Sequence, residues 1–144
     1  MLKQISVWLP NKPGVLSKFI DTLIEKNIEI RAVTVAENED YGLLLLLVDK
    51  PSELYTLLEK SDYPVSITEV LAVKVNSDNN TRSLKKISNL LGENNINIEY
   101  LYSTLIKGET IIILRVDDNK KAQEVLREDG FLLEEKRAIK SHQL

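Results

Sequence analysis

No cysteine occurs in the 144 residues, which excludes disulfides, a thiolate nucleophile and any sulfur-ligated metal. Histidine occurs once, as His142 in the polar stretch Lys140 to Leu144, where a terminal surface position explains it better than a base or a metal ligand. No uncharged apolar run is long enough for a membrane span, and Met1 to Pro10 lacks the apolar core and small-residue cleavage site of a signal peptide. The expectation is therefore a cytoplasmic chain with no membrane partner. A net charge of −3 and a pI near 5.3 argue against a nucleic-acid partner, which needs a concentrated basic patch. Trp8, the single tryptophan, suits an edge or interface anchor better than a base-stacking platform. Ser/His/Asp sets, clustered metal ligands and Gly-rich phosphate loops are all missing, so neither catalysis nor a metal or cofactor is expected. What remains, 43% apolar and 28% charged residues, is the composition of a globular protein of one ordinary domain or two very small ones.

From Lys3 to Leu9, Ile5, Val7 and Leu9 alternate with Gln4, Ser6 and Trp8, the period of a half-buried strand. Val15, Leu16, Phe19, Ile20, Leu23 and Ile24 then recur at helical spacing, and the helix ends near Asn27, a residue that tolerates the left-handed conformation. Ile28 to Ala36 reads as a strand, Glu37 to Tyr41 as a polar turn, and Leu43 to Val48 as the returning strand of a hairpin. After Asp49 to Pro51, Ser52 can cap a short helix carrying Leu54, Leu57 and Leu58, and Val65 to Val70 is again a strand. The order is strand, helix, strand, strand, helix, strand.

Adding 68 to the residue numbers reproduces the pattern without a gap. Val7 falls on Val75, Asn11 on Asn79, Leu16 on Leu84, Asn27-Ile28 on Asn95-Ile96, and Val48-Asp49 on Val116-Asp117. The chain is an internal duplication, with copies expected at 1–70 and 71–139 and a polar tail at 140–144. No linker separates them, since Ser66 to Val75 is one strand-like run, so two firmly joined units are expected rather than tethered ones. Leu43 to Val48 and Ile111 to Leu114 are apolar at every position, so these strands need cover on both faces. Sheets packed on each other, or a second chain in a homodimer, would supply it.

Between the first strand and first helix stands Asn11-Lys12-Pro13-Gly14-Val15-Leu16. A chain that turns here into a helix leaves backbone N–H groups without helical partners; Pro13 suits a first helical turn and Gly14 permits a tight turn and a close approach. An anion such as a carboxylate can be held at such a corner, although many helices simply begin this way.

These residues, with Asn27-Ile28-Glu29-Ile30 opening the next strand and Asn95-Ile96-Asn97-Ile98-Glu99-Tyr100 repeating it, resemble the ACT domain, a small ferredoxin-like βαββαβ module that typically senses amino acids. The continuous Thr68 to Val73 junction is similar to stand-alone tandem ACT proteins. The resemblance spans Lys3 to Ile139 and implies an α+β fold of two tandem βαββαβ units, antiparallel sheets with helices on one face. It also implies that the Asn11-Lys12-Pro13-Gly14-Val15-Leu16 loop offers N–H groups to an amino-acid carboxylate while a neighbouring ACT unit completes the site, and that Glu29 and Asn97 occupy positions that bind effector in several members. Copy two has Thr81-Arg82 where Pro13-Gly14 stands, so one pocket per chain is expected, with Asn97, Tyr100, Tyr102 and Ser103 as its wall.

Two functions follow as expectations. The first is a non-catalytic regulatory module, a homodimer binding a small amino-acid effector at a seam between ACT units. The alternative is a ligand-free structural or protein-interaction tandem. Tyrosines on a strand are also ordinary packing residues, Lys12 can be merely solvated, and Glu29 can simply face water.

Overall fold

The computed structural model describes residues 1–37 and 41–135. The centre of the expected Glu37 to Tyr41 turn, His142 and the polar tail lie outside the described residues. Two compact units are present: Lys3–Thr68, and Met1–Leu2 together with the chain from Glu69 onward.

In the first unit the alternating run forms β1 (Leu2–Pro10) and the returning hairpin strand β3 (Tyr41–Val48) lies antiparallel beside it. Their register puts Ile5 opposite Leu46 and Val7 opposite Leu44, so these side chains share a face, as the two-residue strand period requires. Against that face α1 (Val15–Glu25) buries Phe19 and Leu23, one helical turn apart, and α2 (Pro51–Glu59) buries Leu54 and Leu58. β2 (Ile30–Glu37) pairs with the outer side of β3. Trp8 N–H donates to the Pro64 carbonyl at 3.1 Å where the chain approaches β4 (Val65–Val75). The junction is one continuous strand, as the run Ser66 to Val75 predicts.

The second unit repeats the plan. A 3₁₀ turn (Ser77–Asn79) leads into α3 (Asn80–Glu93), followed by β5 (Ile98–Ile106), β6 (Glu109–Val116), α4 (Asn119–Glu128) and the two-residue β7 (Leu133–Glu134). β4 pairs with β6 on one side and β7 on the other, and β5 lies outside β6. Each unit is a βαββαβ fold with an antiparallel sheet and two helices. Leu44 to Val48 and Ile111 to Leu114 are buried at every position, as their unbroken apolar character predicts, whereas Leu43 at the head of the first run is only half-buried.

Two devices recur at the 68-residue shift. Asn27 and Asn95 take φ of 56° and 57°, and the next residue closes the helix behind them: Ile28 N–H donates to the Leu23 carbonyl and Ile96 N–H to the Leu91 carbonyl, both at 2.9 Å. The left-handed residue satisfies the helix's last carbonyls and delivers a buried isoleucine into the core. Next, Asp49 accepts from Glu29 N–H through Oδ1 at 2.9 Å, and Asp117 accepts from Asn97 N–H at 3.0 Å. The carboxylates stitch the end of β3 or β6 to the start of the neighbouring strand.

One helix start differs from the expected one, and another differs between the copies. Lys50, not Ser52, precedes α2, with Pro51 in its first turn, where a missing N–H costs nothing. α3 begins at Asn80, three residues earlier in the repeat than α1 does at Val15.

Glu134 on the short β7 is 3% exposed, and its partner is Lys74 of β4 at 3.1 Å. Lys74 also meets Glu109 at 2.9 Å. Hydrogen bonds from Glu109 first and Glu134 second hold the Lys74 ammonium above the ordinary lysine range, so this stabilisation is complete at neutral pH and is lost only as strongly alkaline solution deprotonates it.

Urea unfolding is expected to show Asp49→Ala losing about 2 kcal/mol, because the charged acceptor removed from the Glu29 N–H is a buried carboxylate, and Asp117→Ala, whose carboxylate is exposed, losing about half that. Lys74→Met is expected to cost about 2–3 kcal/mol by stranding the Glu134 charge, and Glu134→Leu added to it to recover most of the loss; equal stability of the single and double variants would contradict that role for the pair.

Candidate functional site

β1 ends at Pro10, and the chain turns through the exposed residues Asn11, Lys12, Pro13 and Gly14. Lys12 N–H donates to the Pro10 carbonyl at 2.9 Å and Val15 N–H to the Lys12 carbonyl at 3.3 Å. Gly14 is the residue that caps α1, at φ 86° and ψ −12°, with no side chain capping the helix. A side chain is disfavoured there by the left-handed backbone alone, since no other atom lies within 4 Å of where a Cβ would sit. Pro13 thus stands just before the cap rather than inside the first turn.

The geometry divides the amides expected to serve a carboxylate. Val15 N–H is already directed at Lys12. Among the described residues no oxygen accepts from the N–H groups of Gly14, Leu16 or Ser17. They carry the positive end of the α1 dipole.

Beside the corner is a cleft of about 170 Å³. At ~30 Å³ per water this is the room of roughly six water molecules, the scale of a small amino acid. Asn11 and Lys12 form its polar side, and Leu9, Leu16, Val35 and Leu44 its apolar side. Val35 and Leu44 were not marked by any motif; the β2–β3 register sets them opposite each other. Leu16 is 46% exposed and Val35 54%, so the apolar side of the cleft is open to solvent. Asn11 already interacts with another group of the protein, so a ligand there would share or replace that contact.

The other predicted residues stand on other elements. Glu29 is exposed just before β2, at the end of the sheet away from the corner, because β2 meets the corner end of β3 at Glu37. Asn97 precedes β5 and is likewise exposed, with its backbone N–H held by Asp117. Tyr100 and Tyr102 are half-buried on β5 opposite Arg115 and Ile113, and Ser103 on the same strand is exposed. Burial, and secondarily the neighbouring Tyr100, pushes the Tyr102 hydroxyl well above the ordinary tyrosine range, so it is a neutral hydroxyl at physiological pH. Both tyrosines have interaction partners already.

The corresponding corner of the second unit is built differently. The 3₁₀ turn replaces the open loop, and Arg82 stands at the repeat position of Gly14 inside α3. A larger cleft, about 650 Å³, opens beside it, with Lys74, Asn79, Arg82, Ser83, Lys86 and Glu109 among its lining residues. Copy two lacks the glycine-centred loop, but the expectation of one pocket per chain did not foresee a cleft at this corner. Its basic residues are scattered over β4 and α3, so no contiguous motif announced it.

Among the described residues no group of three or more His, Cys, Asp or Glu side chains is placed to hold a metal ion. No helix among them is long and apolar enough to cross a membrane.

Residues 1–140 match the family model described as an ACT domain pair. Among solved structures, protein BT0572 from Bacteroides thetaiotaomicron superposes with a TM-score of 0.87 at 29% identity, covering 96% of this chain and 95% of that one. The ligand-free regulatory subunit of aspartate kinase from Thermus thermophilus gives a TM-score of 0.60 at 18% identity, covering 88% and 90%. The regulatory subunit of aspartate kinase from Thermus flavus gives 0.57 at 14%, covering 100% and 95%; at these identities the likeness to the kinase subunits is one of fold. Comparison with the curated proteins gave no match. With its two βαββαβ units and a family match over nearly all of its length, the chain belongs to the ACT domain family, as a pair of ACT units in tandem.

Proposed function

We propose that this ACT pair is a non-catalytic, cytoplasmic regulatory module that binds a small α-amino acid or related carboxylate at the Asn11 to Leu16 corner. The observation that carries the proposal is Gly14 at φ 86°, heading an uncapped helix beside a cleft of about 170 Å³. The Gly14, Leu16 and Ser17 amides would take the carboxylate, with Lys12 adding long-range attraction. The apolar side formed by Leu9, Leu16, Val35 and Leu44 suits a short aliphatic side chain better than a charged one. An acceptor for the ammonium would come from Asn11 or from a neighbouring ACT unit, the role proposed for Asn97, Tyr100 and Tyr102 in a homodimer. Exposed Val33 and Val35 on β2, and Leu101 and Leu105 on β5, support association of copies, since each lies on an outer strand of its sheet. Ligand bound at a shared site would favour one packing arrangement over another, which is the requirement for regulation. The regulatory subunits of aspartate kinase with the same fold make an effector-binding role the natural one to test.

A thermal-shift and calorimetric screen against the twenty amino acids is expected to give saturable binding by one or a few with small apolar side chains. At a hundred times Kd the ligand stabilises the chain by about 2.7 kcal/mol. Gly14→Leu is expected to abolish binding at a cost of about 1–2 kcal/mol in stability. Silence across the panel with a folded chain would instead favour a tandem that serves only structure or protein contacts. Sedimentation is expected to show a dimer at micromolar concentration, and a monomer there would remove the shared-site geometry.

A further inference from the structure

The second unit replaces the glycine of the first with a guanidinium at the same repeat position, and gathers further cations around it. Arg82 on α3, Lys74 on β4 and Lys86 one turn along α3 line the cleft of about 650 Å³, with Asn79, Ser83 and Thr110 offering polar groups between them. The cations differ in how they are compensated. Lys86 is paired with Asp129 at 3.2 Å and lies 5.5 Å from the centre of the Phe131 ring. Lys74 is held by buried Glu134 from below and by Glu109 from the cleft side. No ion pair or hydrogen bond to the Arg82 side chain is found among the described residues.

The Glu109 side chain is 53% exposed and stands at the start of β6, immediately after the turn at Gly108. Its carboxylate rests on a cleft lysine, where an external carboxylate or phosphate would also rest. It can leave for solvent at little cost in desolvation, unlike Glu134, which is sealed in. With Glu109 withdrawn, Lys74–Glu134 and Lys86–Asp129 are neutral pairs, and Arg82 leaves the cleft with one uncompensated positive charge.

We propose that this cleft is a second ligand site, which takes a small oxyanion carrying no ammonium group, a carboxylate or phosphate, and that Glu109 is its built-in competitor. The oxyanion meets Arg82, whose planar fork suits two oxygens, and displaces Glu109 from Lys74. The site differs from the Asn11 to Leu16 corner in location, in donor chemistry and in ligand class, so either can exist without the other.

The test is an amide-resolved NMR titration of the intact chain with inorganic phosphate and with malonate at constant ionic strength, alanine serving as the zwitterion control. Saturable shifts are expected at Arg82, Ser83 and Phe131. Arg82→Gln is expected to weaken binding about tenfold, the scale of one charge-assisted contact, and Glu109→Gln to tighten it severalfold. Gly14→Leu is expected to leave it unchanged. Shifts that never saturate, binding by alanine in preference to both anions, no loss in Arg82→Gln, or an affinity unaltered or weakened in Glu109→Gln would each overturn the proposal. Both substitutions are at surface positions, so folding of the variants is checked independently by their unfolding midpoints.

Discussion

A single left-handed residue sets what the first unit can do. Because Gly14 turns the chain at φ 86°, α1 starts without a capping side chain while its axis is fixed by Phe19 and Leu23 buried against the sheet. The core holds the helix in place, and the glycine decides how its first turn meets solvent. An uncapped first turn costs helix stability, and the same N–H groups that go unsatisfied are the ones able to receive an anion. The cleft beside them inherits its shape from strand register: Val35 and Leu44 face each other because β2 and β3 pair as they do.

The duplication separates residues kept for folding from residues free to change. Asn27 and Asn95 end their helices in the same way, and Asp49 and Asp117 make the same stitch between strands. These solve the same backbone problem twice, since a carbonyl or N–H left unpaired in either unit costs the same free energy. The corners solve no shared problem and have diverged. One copy exposes backbone amides through a glycine; the other extends its helix by three residues and places Arg82 and the Lys74–Glu134–Glu109 cluster around a larger opening. Two units of one fold therefore offer donors of different kinds, main-chain dipoles in one and a guanidinium in the other.

Much of the fold was legible because it follows from local periodicity. Ile5, Val7 and Leu9 announce β1 by alternation, Phe19 and Leu23 announce the buried side of α1, and the 68-residue shift carries Ile5, Val7, Phe19 and Leu23 onto Val73, Val75, Ile87 and Leu91. Ser52 misled because serine caps helices by its side chain, whereas Pro51 can open one with no hydrogen bond to lose. The Asn11 to Gly14 corner was legible from its proline and glycine, but the engagement of Val15 N–H with Lys12 was not, since a 3.3 Å hydrogen bond depends on turn geometry that residue types do not specify. The second cleft was hidden for a different reason: Lys74, Arg82, Glu109 and Phe131 come from four separate segments, brought together only by tertiary folding.

Site-resolved hydrogen exchange at Leu16 and Ser17 tests the central claim most directly. In the ligand-free chain these two amides are predicted to exchange nearly as fast as in an unfolded peptide, while Leu23 in the same helix is strongly protected, and a saturating amino acid is predicted to slow the two amides by at least about tenfold, the factor that 1.4 kcal/mol of added protection gives. Strong protection of Leu16 and Ser17 before any ligand is added would mean that the protein already satisfies them, and would contradict the account.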